Sequence, residues 1–283
     1  MVLESLMNPF KAEKEPWEMF FIGLLYASIA IFLSLWIFRQ QASLVAIFLT
    51  VLAAVPLIYN TIKYEEKKCL FIEGEKKILK EHSRALSFFS FLFLGFTLAF
   101  TFWYVVLPNS LVNDLFSVQT QTIVEINNKV TGNWQQSINL LSIIFLNNIK
   151  VLIFCLLFAF LYGVGAIFIL TWNASVIGVA IGNFIRSELS KITELIGFEK
   201  FTKYFSTISI GLFKYSIHGI PEILAYITAG LAGGIISIAV IRHDFGTKKF
   251  ENILLDSSSL IIISICLLVL AAILEVFVTP IVF

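Results

Sequence analysis

The sequence predicts an all-α, multi-pass transmembrane helical bundle of about six spans plus one short re-entrant half-helix. Composition is the first reason: mean hydropathy is +0.90, with 58% hydrophobic and only 14% charged residues, whereas soluble domains run nearer half apolar and a quarter charged. Run length is the second, since several stretches approach or exceed the roughly 20 apolar residues that cross a hydrocarbon core about 30 Å thick. Helix is then the form expected of each run, because a segment in lipid has to satisfy its own backbone hydrogen bonds.

The apolar runs fall at about 18–38, 42–59, 85–107, 149–171, 174–187, 221–241 and 259–281. Ahead of the first lies MVLESLMNPFKAEKEPWEMFF, which mixes acids and bases and has no small-residue cleavage site behind its apolar run. It does not read as a cleaved signal peptide, and Pro16 and Trp17 read as an interfacial anchor. Runs one and two are joined only by Arg39, Gln40 and Gln41, so they form a tight antiparallel hairpin. Residues 60–84 carry both charge signs with apolar residues at helical spacing, as a surface helix or hairpin at the cytoplasmic headgroups does. Residues 108–138 are polar and nearly free of lysine and arginine, which fits an external segment. Beyond Trp134 no glycine or proline stops a helix before Asn147, Asn148 and Lys150, so the amides lie inside or beside membrane structure.

Residues 174–187 are too few to span: at 1.5 Å per residue they give about 21 Å of helix. Turning this run back also places more of the 20 lysines and arginines on the side of the amino terminus, which the positive-inside rule makes cytoplasmic. No repeat and no linker divides the chain. It reads as one integral membrane domain with a three-helix part at 1–107, the external segment 108–138, a core at 139–241, and a connection and last helix at 242–283.

His218, Pro221 and Glu222 open an apolar, glycine-rich run. Pro221 suits a first helical turn, and Glu222 would then meet the positive end of the helix dipole at a membrane rim. The sharper alternative has the helix continue through Gly219 and Pro221, so that His218 and Glu222, four apart, share a face. Glu275 is embedded in the last run, where a charge costs roughly 2.5–3.5 kcal/mol on insertion scales. It therefore calls for a neutral form or a partner such as Lys150, Lys214 or His218, unless it is a rim carboxylate reaching water. Gly178 with Gly182, and Gly230 with Gly234, have the spacing that lets helices approach closely, which makes the short helix and the Gly230 helix expected neighbours.

Other chemistries find little support. Net charge is +1, so no basic field invites nucleic acid. Cys69, Cys155 and Cys266 form no C-x-x-C pair, and the His218/Glu222 spacing lacks the second histidine of H-E-x-x-H, while His82 and His243 stand in charged connections. No Walker loop or nucleophile elbow is present. No enzyme activity, cofactor or metal is expected.

Asn147-Asn148, then Asn173, then Gly178, then His218-Gly219-Ile220-Pro221-Glu222 with its glycine-rich helix resemble, in order and spacing, the stage II sporulation protein M family. The resemblance covers about 140–241. The first 130 residues are loosely similar to archaeal-looking members, and Asn173-Ala174 stands where members often have Asn-Gly. The resemblance implies a non-enzymatic integral membrane protein, in spore formers a scaffold for partners that degrade peptidoglycan. It also implies that Asn147, Asn148, Asn173, His218 and Glu222 form a polar cluster in the membrane. Two functions follow as expectations: a membrane scaffold with the bilayer, protein partners or further copies of itself as its contacts, or a transporter or permease-like subunit whose polar cavity lies at the short helix.

Overall fold

The computed structural model describes residues 15–71, 75–127, 134–162, 164–191, 198–242 and 246–282. His243 and Gly163 lie outside them, as does most of the amino-terminal segment. The elements are α1 (Glu18–Ile37), a 3-10 turn (Arg39–Gln41), α2 (Ala42–Phe71), α3 (Glu75–Val106), α4 (Asn109–Asn127), α5 (Trp134–Tyr162), α6 (Ala166–Ser190), α7 (Phe198–Ile241), α8 (Lys248–Ile273), a π-turn (Leu274–Val278) and α9 (Thr279–Val282). Among the described residues seven helices are long and apolar enough to cross a membrane: α1, α2, α3, α5, α6, α7 and α8 with its extension.

The half-helix expected at 174–187 is the second part of α6, which is 25 residues long, or about 37 Å. The chain breaks earlier than expected, at Val164 and Gly165. Asn173 is no breaker because its Nδ2 donates to the Ile169 carbonyl at 2.8 Å, satisfying the amide within its own helix. Re-entry is therefore replaced by a helix of full spanning length. The charged connection at 60–84 takes the hairpin form: α2 and α3 both run on past their apolar parts into it.

Glycines set the helix spacing. A Cβ on Gly23 of α1 would lie 2.5 Å from the Leu92 carbonyl oxygen of α3, and one on Gly95 would run into the Phe20 carbonyl. These two helices touch backbone to backbone. Gly178 and Gly182 also face α3, where a Cβ would come 2.8 Å from Phe100 Cβ and 2.7 Å from Tyr104 Cδ1. α6 and α7 are neighbours as expected, but the contact uses Gly230, where a Cβ would come 2.8 Å from Ala166 Cβ, while Gly234 is buried in α7. The most buried of the spans is α7, which packs against α5, α6 and α8.

The segment expected outside is an amphipathic helix that docks on the bundle. α4 buries Val112, Leu115, Phe116 and Gln119, one helical face, against α2 and α6. Gln119 accepts from Ser43 of α2 at 2.7 Å and donates to Ser175 of α6 at 3.3 Å. At the same end, Arg186 of α6 donates to the Leu107 carbonyl, to the Val105 carbonyl at 3.3 Å and to Asn109 Oδ1 at 2.8 Å, with its guanidinium 5.5 Å over the Tyr104 ring. It supplies partners for carbonyls that the end of α3 leaves open. Arg186→Ala is expected to lower stability in detergent by about 2 kcal/mol, with Arg186→Lys restoring little because one ammonium cannot reproduce the fork. Equal melting of Arg186→Lys and wild type would refute this.

Candidate functional site

α7 is one helix of 44 residues that passes straight through Gly219 and Pro221. Pro221 therefore starts no helix, and the rim position expected for Glu222 does not hold. Proline removes one backbone hydrogen bond, but packing of α5, α6 and α8 along α7 keeps the segment helical, as neighbours do in membrane bundles. Depth follows from shared contacts. Gly230, Ala166, Ile58 and Phe89 line one small apolar cavity, and Phe89 stands one turn below Leu92, the residue that Gly23 near the start of α1 touches. Glu222 stands eight residues before Gly230 in α7, about 12 Å inward from that level.

Continuity puts His218, Glu222 and Tyr226 at successive turns of one helical face. Opposite them, at the carboxyl end of α8, Glu275 and Thr279 are also one turn apart. The two stripes run antiparallel and in register: Thr279 Oγ1 lies 3.4 Å from His218 Nδ1, and Glu275 is within electrostatic reach of Glu222 and Tyr226. The Tyr226 hydroxyl donates to Glu222 Oε1 at 2.8 Å. A π-turn over Leu274–Val278 presents the second stripe. Pro280 explains it, because a proline cannot donate a backbone bond and its ring crowds the carbonyl four residues back. Thr279 Oγ1 also donates to the Leu274 carbonyl at 3.1 Å. Such π-turns often stand at functional sites.

Of the five polar residues expected to cluster, together with Glu275, the structure joins His218, Glu222 and Glu275. The neighbour it gives Glu275 is a second carboxylate, not a lysine: Lys150 is exposed on α5, and the Lys214 ammonium lies 5.8 Å over the Phe184 ring. Asn148 belongs to the same level. α5 runs parallel to α7, with Cys155 within electrostatic reach of Tyr226 and Leu156 and Ala159 against Gly233, which puts Asn148 about level with Gly219. Its side chain is buried, and its Nδ2 has no hydrogen-bond partner. Asn147 faces outward, and Asn173 is spent on its own helix. Sequence reasoning missed Tyr226 and Thr279, although each stands four residues after a carboxylate it did single out.

It also missed a polar network at the opposite end of the bundle from Arg186. Glu65, Glu66 and His82 are fully buried. His82 Nδ1 lies 2.6 Å from Glu65 Oε2, Lys68 Nζ donates to Glu65 Oε1 at 2.5 Å, and Arg84 Nη1 donates to Glu81 Oε2 at 2.9 Å. Arg242, just past α7, donates to Glu66 Oε1 and so ties the end of α7 to α2. Among the described residues no group of three or more His, Cys, Asp or Glu is arranged to hold a metal ion.

The family model described as stage II sporulation protein M matches residues 88–280. The chain belongs to the stage II sporulation protein M family. The match extends the resemblance read from 140–241 back into α3 and forward to Pro280, so the contacts of Gly178 and Gly182 with α3 and both polar stripes lie inside the part shared with stage II sporulation protein M. All of the charged connection at 60–84 and all of α1 and α2 precede it. No curated protein and no solved structure matches the chain.

Proposed function

We propose that the protein is a non-enzymatic membrane scaffold of the stage II sporulation protein M family, in which the stripes on α7 and α8 hold the last helix in place. One observation carries this reading: inside the bundle, polar groups are used for packing. The hydroxyls of Thr50, Thr61, Thr97, Thr101 and Thr228 each donate to a carbonyl of their own helix, while glycines bring neighbouring backbones into contact. Such an interior favours rigidity over passage. Its partners are the lipid bilayer and membrane proteins or further copies of itself, as the family resemblance implies. It sits in the cell membrane with its amino terminus in the cytoplasm, because that side then carries the lysine-rich hairpin and Arg242.

A transporter or permease-like reading has one observation in its favour: His218, Glu222 and Glu275 are only half-buried and the nearby Asn148 amide is unpaired, which suits a wet cavity. Sided thiol labelling decides between them. In protein lacking Cys69, Cys155 and Cys266, single cysteines along 174–187 and 216–234 are challenged with an impermeant reagent from each face. The scaffold reading expects labelling confined to segment ends; labelling near Glu222 replaces it with the transport reading. A structural role for the stripe also predicts that Glu222→Ala, which strands the Tyr226 hydroxyl, lowers melting in detergent by the equivalent of about 1–3 kcal/mol. Unchanged melting would refute that role.

A further inference from the structure

A groove of about 210 Å³ opens between α3, α6 and α7, with Ser90, Leu94 and Thr97 on one wall and Leu212, Tyr215 and Ile220 on the other. We infer that this groove is a binding site for the hydrocarbon tail of a membrane lipid, held open by Gly219. Four observations support it. The rim residues Leu94, Leu212 and Ile220 are exposed, so the groove opens sideways, where lipid is the surrounding medium. Three of its four hydroxyls are used within their own helices: Ser90 donates to the Leu86 carbonyl at 2.7 Å, Thr97 to Phe93 at 3.0 Å and Ser216 to Leu212 at 2.7 Å. Apart from the Tyr215 phenol, the wall therefore offers contact to an apolar chain.

The third observation is size. The α7 wall, from Leu212 to Leu224, is about 18 Å long, comparable with half of a hydrocarbon core of about 30 Å. The fourth is Gly219 itself. At Gly211 a Cβ would come 2.8 Å from Phe184 Cδ1, yet a Cβ on Gly219 would meet nothing within 4 Å. Glycine is a poor helix former, and no protein contact asks for one at this lining position. A chain lying along the groove does.

Photolabelling tests this. The intact protein goes into phosphatidylcholine and phosphatidylglycerol vesicles doped with a phospholipid that carries a diazirine on its acyl chain, and adducts are mapped after illumination. The expected result is that adducts concentrate on 90–97 and 212–224 and fall several-fold in Gly219→Trp, relative to adducts on the outer face of α5. Ser90→Phe fills the groove from the opposite wall and is expected to do the same, which separates occlusion from damage to α7. Even labelling of all lipid-facing helices, or adducts indifferent to both substitutions, overturns the proposal. So does efficient disulfide formation between two copies carrying Ile220→Cys, which makes the occupant protein.

Discussion

Gly95→Leu is expected to prevent the bundle from forming in its present packing, with a loss at or beyond the top of the roughly 1–3 kcal/mol that overpacking costs. The obstruction is backbone: the new Cβ meets the Phe20 carbonyl and lies 2.9 Å from the Leu24 amide nitrogen, with Gly23 Cα at 3.1 Å. A side chain in the way can rotate, but here α1 itself has to move off α3. Along α3 that displacement reaches Trp103, whose indole Nε1 donates to Ser28 Oγ of α1 at 3.0 Å and whose ring packs edge-on against Phe32 at 4.6 Å. Gly95→Ala, which adds only the clashing Cβ, and Gly219→Ala, which adds one in open space, form the matched pair, the second expected to be neutral or to add up to about 1 kcal/mol through helix propensity. Thermal unfolding of both variants in one detergent reads the difference, and equal shifts would refute the account.

That contact illustrates what a single sequence conveys. Helical class and spanning lengths were legible because lipid imposes them locally, through hydropathy and through the closing of backbone hydrogen bonds within each segment. The Arg39–Gln41 hairpin was legible for the same reason: three residues allow nothing else. Register between helices is not local. Nothing near Gly95 announces Gly23, and the pairing of Gly178 and Gly182 with α3 rather than α7 depends on which faces a crowded bundle leaves over. The misplaced break between α5 and α6 shows the other limit. Asn173 looks like punctuation in an apolar run, but an amide that bonds to Ile169 costs the helix little. Pro221 looks like a start, but proline stops a helix only when neighbours do not hold it. The alternative in which α7 continues put His218 and Glu222 on one face, as the structure has them, but with the helix start preferred the stripe was not carried on to Tyr226, and its partner stripe beyond α8 had nothing to face.

Arg242→Gln is expected to destabilise the protein by about 2–3 kcal/mol, toward the low side of the loss when one member of a buried pair is removed. Glu66 is fully buried, whereas the Arg242 side chain is 36% exposed, so water relieves part of the cost on the arginine side only. The bond joins residues 176 apart in sequence, and it fastens the end of α7 to α2. A double-mutant cycle with Glu66→Gln separates the pair from its surroundings, since replacing both partners removes the stranded carboxylate that the single arginine change leaves behind. The double variant is therefore expected to be more stable than Arg242→Gln alone, and amide exchange near Glu66 to speed up in the single variant and recover in part in the double. Additive effects would mean that α2 and α7 are held by apolar packing, with the ion pair incidental. Coupling would mean that a charged group sets where the charged hairpin sits relative to α7, so that the orientation of this end of the bundle rests on one ion pair across 176 residues of sequence.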